Sequence, residues 1–279
     1  RHFVLARLPG FDVSANNVSL MVPWLQDPLR DLWPQKYVQA SRIQARCLAQ
    51  GAAVINPVER LSISRKSVSL PLLSEAGVRT AKVVRVDPRQ PERLLDDLTF
   101  PFILRDDIVH GCPTQLINQA ADLREVNWSS WSSPIALEFI DTRSPDGFFR
   151  KYRYCLFGEN GHNRHLIISN EWYVHADQRD FAEAHLAEEA DFCHAEKNAH
   201  HDAFNQMRLA LGLDCVAFDY GFDNQGQLVV WEPNPFPLLY NPDASYGSSP
   251  EFVNPMYQKL LSYLLMKAKI EPKVGSSLI

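Results

Sequence analysis

The chain has 279 residues, 46% of them hydrophobic and 22% charged, with a formal net charge of −5. That balance is ordinary for a globular chain long enough to bury a sizeable core, and it gives no support to a nucleic-acid or anionic-membrane surface. No apolar run approaches the ~18 residues that span a bilayer, and the opening Arg1-His2-Phe3-Val4-Leu5-Ala6-Arg7 lacks the layout of a signal peptide. The five cysteines (Cys47, Cys112, Cys155, Cys193, Cys215) are odd in number, widely spaced and free of a C-x-x-C pair. A reducing compartment is the expectation, with the cytoplasm as default. The chain does not open on Met, which fits a trimmed chain or part of a longer polypeptide.

Residues 2–7 alternate loosely and predict a short strand, and the prolines at 23, 28 and 34 break up 12–34. Val38, Ile43, Ala45, Cys47 and Leu48 recur at near-helical spacing through 37–50, and Gly51 supplies the stop. Residues 52–57 predict a buried strand ending in a turn, and 68–76 a helix stopped by Gly77. A Val-rich strand over 78–86 and a short helix over 91–98 follow. Residues 100–105 predict a strand ending on Arg105, 106–113 a loop, 119–126 a helix and 134–140 a β segment. Ser144-Pro145-Asp146-Gly147 is a turn, and 148–157 alternates about Arg150, Tyr152 and Tyr154. Gly158-Glu159-Asn160-Gly161 then turns the chain toward 165–169, which predicts a hairpin. Residues 177–211 read as helix with a possible break, and 252–268 as a final amphipathic helix.

Helices mixed with hairpins, without strict alternation, predict α+β lobes. Boundaries near 87 and 170 divide the chain into an N-terminal α/β part (1–87), a middle lobe (88–170) and a C-terminal lobe (171–279).

The stretch 214–241 is the most informative. Two apolar arms, 215–218 and 228–231, flank the polar turn Asp223-Asn224-Gln225-Gly226, a hairpin signal. Asp219 is expected to close the first arm, and Glu232 and Asn234 the second, with the strand period placing the last two on one face. Two carboxylates and an amide are hard-cation donors, suited to magnesium shared with phosphate oxygens.

The ordered set reaches further. Asn56 follows a strand, Lys66 opens a helix that ends in Ala76-Gly77-Val78, and Arg105 ends a strand. Glu138-Phe139-Ile140, Arg153 in a strand, and Asp219 with Glu232-x-Asn234 thirteen positions later complete it. This set resembles the ATP-grasp superfamily, in its glutathione-synthetase-like and ribosomal-modification-ligase-like branch, over about residues 52–240. The resemblance implies two α+β subdomains clamping ATP, preceded by a small α/β domain. It implies an ATP- and magnesium-dependent carboxylate–amine ligase working through an acyl phosphate. The substrates would be small molecules, an amino acid or peptide among them, with neither nucleic acid nor membrane as partner. A homo-oligomer is compatible with the sequence. The alternatives are a small-molecule kinase of the same superfamily and a nucleotide-binding module without turnover.

In that frame Asp219, Glu232 and Asn234 are the expected magnesium ligands. Lys66, Arg105, Lys151 and Arg153 are the expected phosphate contacts, with Arg153 placed at the reacting phosphoryl group. Arg105 stands where the superfamily usually has Lys, a planar fork in place of a point charge. Glu138 matches the acidic residue at the adenine hinge, with the backbone of Phe139 and Ile140 reading the base. Asp141 or Asp146 would serve the ribose, and the loop at His110-Gly111 would cover the phosphates. Some relatives carry an Arg just before the first metal Asp, but Ala217 and Phe218 stand there, so Arg153 or another residue must fill that role. His165 is a further candidate for the site. Asn241, Asp243 and Tyr246, just beyond the metal cluster, are candidates for the acceptor. The histidines at 185, 194, 200 and 201, with Cys193, fit no closed zinc pattern and read as a helix face. Trp128 and Trp131 either line a pocket or anchor a surface loop.

Overall fold

Two four-stranded antiparallel sheets carry the fold, with one helix wedged between them. The computed structural model describes residues 17–25, 29–108, 113–236 and 250–270, so the strand expected over 2–7 lies outside the described residues. At the N-terminal end, β1 (Leu20–Met21) pairs in parallel with β2 (Ala53–Val54). Between them run α1 (Leu29–Leu32) and α2 (Pro34–Ala49). Pro34 sits in the first turn of α2, where its missing N–H forfeits no helical bond. Gly51, at φ +80°, turns the chain out of that helix.

The helix α3 (Lys66–Glu75) precedes the first sheet, which holds β3 (Val83–Arg85), β4 (Phe102–Asp106), β5 (Thr114–Ile117) and β6 (Pro134–Glu138) in the order β3-β6-β4-β5. Phe102, Leu104, Ile117 and Ala136 pack one of its faces against Leu94, Leu98 and Leu123, the last from α4 (Ala120–Glu125). Trp128 and Trp131 pack against the same cluster, which makes them anchors of that core. The expected strand over 78–86 shrinks to three residues. Four-residue β5 gave no periodic signal long enough to read.

The second sheet holds β7 (Phe149–Phe157), β8 (Asn160–Ser169), β9 (Cys215–Phe222) and β10 (Leu228–Asn234) in the order β10-β9-β7-β8. On one face Tyr154, Leu156, Val216, Phe218 and Tyr220 pack against Phe204 and Met207. Those two residues belong to α6 (His201–Ala210), which follows α5 (Glu183–His194). The predicted helix over 177–211 is therefore interrupted, and buried Asn198 in the break bonds Asn163 and the Tyr220 hydroxyl. The other face is apolar at the end where Cys155, Phe157, Cys215 and Ala217 meet Met256 and Tyr263 of α7 (Pro250–Lys267). It is apolar again where Phe149 and Ile167 meet Val174 and Trp172. Between these two patches lies a polar strip.

The sheets thus group 83–138 and 149–234, so β7 and β8 join the β9–β10 hairpin and β3 joins the middle sheet. Boundaries at 87 and 170 would cut both sheets. The pairing of β7 with β9 links residues 66 positions apart, and local sequence carries no sign of it.

Two devices join the parts. Leu73 of α3 lies in the core of the second sheet, while Leu70 packs on Ile135 and Leu137 of the first. Asn56 is buried and fully bonded: its amide donates to the carbonyls of Cys215 and Pro235 at 2.7 Å each, and its oxygen accepts from the N–H groups of Asp214 and Cys215. Among the described residues, no helix is long and apolar enough to cross a membrane.

Candidate functional site

The polar strip is a row. Glu232, Asp219, Arg153 and His165 are directly opposed neighbours across β10, β9, β7 and β8, so all four project from the same face. Asn234 opposes Ala217 and shares that face, as does Lys151, two positions before Arg153. Asp219 lies in mid-strand, because β9 runs on to Phe222; the expectation that it closes the arm is corrected by three further residues of pairing.

Two β-bulges set the row. The register shifts between Val230 and Glu232, making Trp231 the extra residue of β10. Val230 can then enter the core beside Tyr220 while Glu232 faces the site. Without the extra residue a single face would hold both. A second shift leaves Arg164 as the extra residue of β8 and turns His165, but not Asn163, toward Arg153. Gly221, on the site face of β9, lies under the Trp231 indole; a Cβ there would fall 2.6 Å from the ring. Neither bulge was legible in the residue pattern.

Three of the four residues in the row are already paired. Arg153 grips Asp219 through Nε–Oδ1 at 2.5 Å and Nη2–Oδ2 at 2.7 Å. Lys66, at the start of α3, donates from Nζ to Glu232 Oε2 and to the Trp231 carbonyl freed by the bulge, both at 2.8 Å. The Asn234 side-chain oxygen accepts from the Phe236 N–H at 3.0 Å. A positive side chain at a helix start opposes the helix dipole, so Glu232 and Trp231 hold Lys66 there. Asp107 accepts from the Ser67 N–H at 3.2 Å and binds its hydroxyl. That contact fastens the end of β4 to the start of α3 and carries Arg105 into electrostatic range of Lys66 and Glu232. Arg105 itself turns toward the carbonyls of Asp106 and Ile108.

Electrostatics follow this packing. Burial pushes the Asp219 carboxyl up, but Arg153, Lys151 and Lys66 more than reverse it and leave it below its usual value. Burial raises Glu232 too, and Lys66 overcomes this to leave it low. Desolvation lowers Lys66 and Lys151. Lys151 makes no ion pair among the described residues. His165 is held far below its usual value, by burial and then by Arg153, Arg164, Lys151 and Arg179.

The strand end at 138–140 lies nearby, and its carboxylate is engaged. Glu138 forms a two-point ion pair with Arg79 (2.7 and 3.3 Å) and accepts from the Lys82 N–H. The Arg79 carbonyl in turn accepts from the Val230 N–H at the edge of β10. Arg79, which the sequence reading missed, therefore laces the two sheets together. Phe139 meets Trp172 edge-on at 6.2 Å, and Phe139 and Ile140 stay partly open. Asp146 is drawn away by Arg150, which holds its carboxyl at about 2. Asp141 accepts from the Arg143 N–H. Candidate residues His110, Gly111, Asn241, Asp243 and Tyr246 lie outside the described residues.

Two carboxylates and an amide oxygen on one face form a donor set that fits a hard divalent cation once Arg153 and Lys66 let go. The site brings together Lys66, Arg105, Lys151, Arg153, Asp219, Glu232 and Asn234, with 138–140 at the neighbouring sheet's end.

No family model and no curated protein sequence matches the chain. Solved structures do. The chain resembles the ATP-grasp ligase PsnB complexed with minimal precursor at TM-score 0.56 and 15% identity, over 88% of this chain and 78% of that one. It resembles the macrocyclase MdnC bound with precursor peptide MdnA, from Microcystis aeruginosa MRC, at TM-score 0.55 and 13% identity, over 89% and 79%. D-alanine–D-alanine ligase from Bacillus anthracis, complexed with ATP, matches at TM-score 0.52 and 17% identity, over 84% and 75%. The chain has the ATP-grasp fold.

Proposed function

We propose that the protein is an ATP- and magnesium-dependent ligase that joins a carboxylate to an amine. One observation carries the reading: the strip gathers four cations, Lys66, Arg105, Lys151 and Arg153, around two carboxylates, Asp219 and Glu232. An excess of two positive charges in a desolvated cleft is matched to a polyanion such as a triphosphate. The neighbouring strand end, with Phe139 and Ile140 partly exposed and the Trp172 ring edge-on to Phe139, offers a hinge and an apolar wall for a base.

In this reading Asp219, Glu232 and Asn234 hold magnesium, which when bound neutralises phosphate charge and aligns the oxygens. Arg153, released from Asp219, clamps the terminal phosphoryl group, while Lys66, Lys151 and Arg105 neutralise its oxygens. A carboxylate oxygen attacks the γ-phosphorus and ADP leaves, giving an acyl phosphate. The amine then attacks the acyl carbon, phosphate departs, and the amine nitrogen gives up its proton. Two of the similar structures are described with precursor peptides and one is a D-alanine–D-alanine ligase, so an amino acid or peptide is the substrate class we favour. The buried, unpaired thiols of Cys47, Cys155, Cys193 and Cys215 suit a reducing, cytoplasmic setting.

The test is calorimetry with AMP-PNP and magnesium on the wild type and on Asp219→Asn, followed by phosphate-release assays over panels of amino acids and peptides. Tight binding lost in the variant, and free phosphate formed only with an acceptor, support the ligase. A stable phosphorylated product would make the protein a kinase, and a wild type blind to nucleotide would remove the reading altogether.

A further inference from the structure

Of the four residues in the row, His165 is the one that the ion pairs leave out. Its Nε2 is buried and has no hydrogen-bond partner, whereas Glu232, Asp219 and Arg153 are all engaged. A buried polar atom left unbonded is a standing cost that natural structures rarely keep without a use. The bulge at Arg164 is what turns this imidazole into the strip, and bulges recur where a strand must re-aim a side chain at a site.

Position along the row separates His165 from the metal end. Strands lie about 4.8 Å apart, so His165 stands roughly 10 Å from Asp219, with Arg153 between them. A cation shared by Asp219 and Glu232 would hold oxygens at about 2.1 Å, over β9 and β10. Arg153 is next in line, within reach of a terminal phosphoryl group. A ligand atom at His165 therefore lies on the far side of Arg153 from the carboxylates. Arg153, Lys151, Arg164 and Arg179 surround that place electrostatically; Glu189 answers Arg179 and Asp219 answers Arg153, while Lys151 makes no ion pair among the described residues. The remaining field favours an anion, and a neutral imidazole carrying its proton on Nε2 is a directional donor for one.

We infer that His165 binds the acceptor carboxylate, donating from Nε2 to one of its oxygens while Arg153 holds the phosphoryl group beside it. The assignment rests on the ligase reading and adds the place of the acceptor: over β8, at the end of the row away from Glu232. It makes His165 a specificity residue for a carboxylate and leaves nucleotide affinity to the other three.

The test uses the full chain labelled with ¹⁵N-histidine and saturated with magnesium AMP-PNP. His165 resonances are assigned by their loss in His165→Gln, and acetate and inorganic phosphate are titrated in separate samples. The Nε2 signal is expected to move saturably with acetate, to move little on addition of AMP-PNP alone, and to respond weakly to phosphate. His165→Gln and His165→Asn are expected to keep AMP-PNP affinity within twofold by calorimetry. A signal that moves fully with AMP-PNP alone would overturn the assignment in favour of a phosphoryl contact. A signal unmoved by acetate, or loss of AMP-PNP binding in both variants, would overturn it in favour of a structural role. If the wild type binds no AMP-PNP, the nucleotide reading falls and takes this assignment with it; if AMP-PNP binds and His165 stays silent, only the assignment falls.

Discussion

Arg153 and Asp219 face each other on adjacent strands and close a two-point ion pair, so a metal ligand of the proposed site is held by a proposed phosphate contact. Lys66 and Glu232 repeat the arrangement one strand over. Both pairs must exchange partners when the site fills: carboxylates to the cation, cations to the phosphates. Magnesium alone offers Arg153 and Lys66 no replacement anion, and nucleotide alone leaves the carboxylates beside phosphate. Each ligand therefore lowers the cost of the other. The expected outcome is reciprocal coupling, with magnesium alone giving no measurable heat at millimolar concentration and AMP-PNP affinity rising by roughly tenfold or more when magnesium is present. Calorimetric titrations in both orders check it, and equal AMP-PNP affinity with and without magnesium would refute the exchange.

The same pair governs stability. Removing Arg153 strands a buried carboxylate, and breaking one side of such a pair costs about 3–5 kcal/mol. Arg153→Ala should accordingly lower the denaturation midpoint sharply, and Arg153→Ala with Asp219→Ala should recover much of the loss. Arg153→Lys keeps the charge but loses the fork, so it should fold better than Arg153→Ala. Urea unfolding of the wild type, Arg153→Ala, Asp219→Ala and the double variant provides the cycle, with Arg153→Lys measured alongside, and additive losses in the double variant would contradict the coupling.

Much of this was readable in the chain, for physical reasons. The turn at 223–226 and the apolar arms beside it announced the β9–β10 hairpin, and period-two alternation correctly put Lys151 with Arg153. Gly51 and Gly77 marked helix ends because both take positive φ. What failed were features that depend on distant chain. Arg153 meets Asp219 through a pairing of strands that no local window contains. The bulges at Trp231 and Arg164 reverse the face of Glu232 and His165, and a residue pattern read at period two passes over them. Glu138 showed its type but not its partner, since Arg79 lies 59 positions away.

Asn56 entered the resemblance as a motif residue, and its geometry shows a clamp. Two carbonyls and two N–H groups meet one side chain that can both donate and accept. Asn56→Ala leaves these groups buried and unbonded, which should cost about 3 kcal/mol or more. Asn56→Asp should not rescue it, because a carboxylate can accept from Asp214 and Cys215 but cannot donate to Cys215 and Pro235. Guanidinium unfolding with Asn56→Ala and Asn56→Asp measures both losses; a stable Asn56→Asp protein would show that the two donated bonds matter little.

The response to acid should come first from the buried histidines of β8, His162 and His165, both held below their usual value, and at lower pH from buried carboxylates. His162 is buried on β8, and its Nε2 meets the Phe252 carbonyl of α7 at 2.8 Å. Burial pulls it down to about 4 from 6.5. With the folded pKa below the unfolded one, the unfolded chain binds the proton first. Stability is therefore intact above pH 6.5, declines as pH falls from 6.5 to about 4, and then levels off as far as this group is concerned. The shift corresponds to a loss of about 3 kcal/mol. Asp219 and Glu232 are also depressed, but as carboxylates they keep their contribution down to their unfolded values near 3.8 and 4.5 and lose it below. Denaturant midpoints at pH 7.5, 5.5 and 4.5 should thus fall steadily in the wild type and less steeply in His162→Asn, which is neutral at that position throughout and leaves only His165 to contribute. An unchanged slope in that variant would move the source of the decline away from His162.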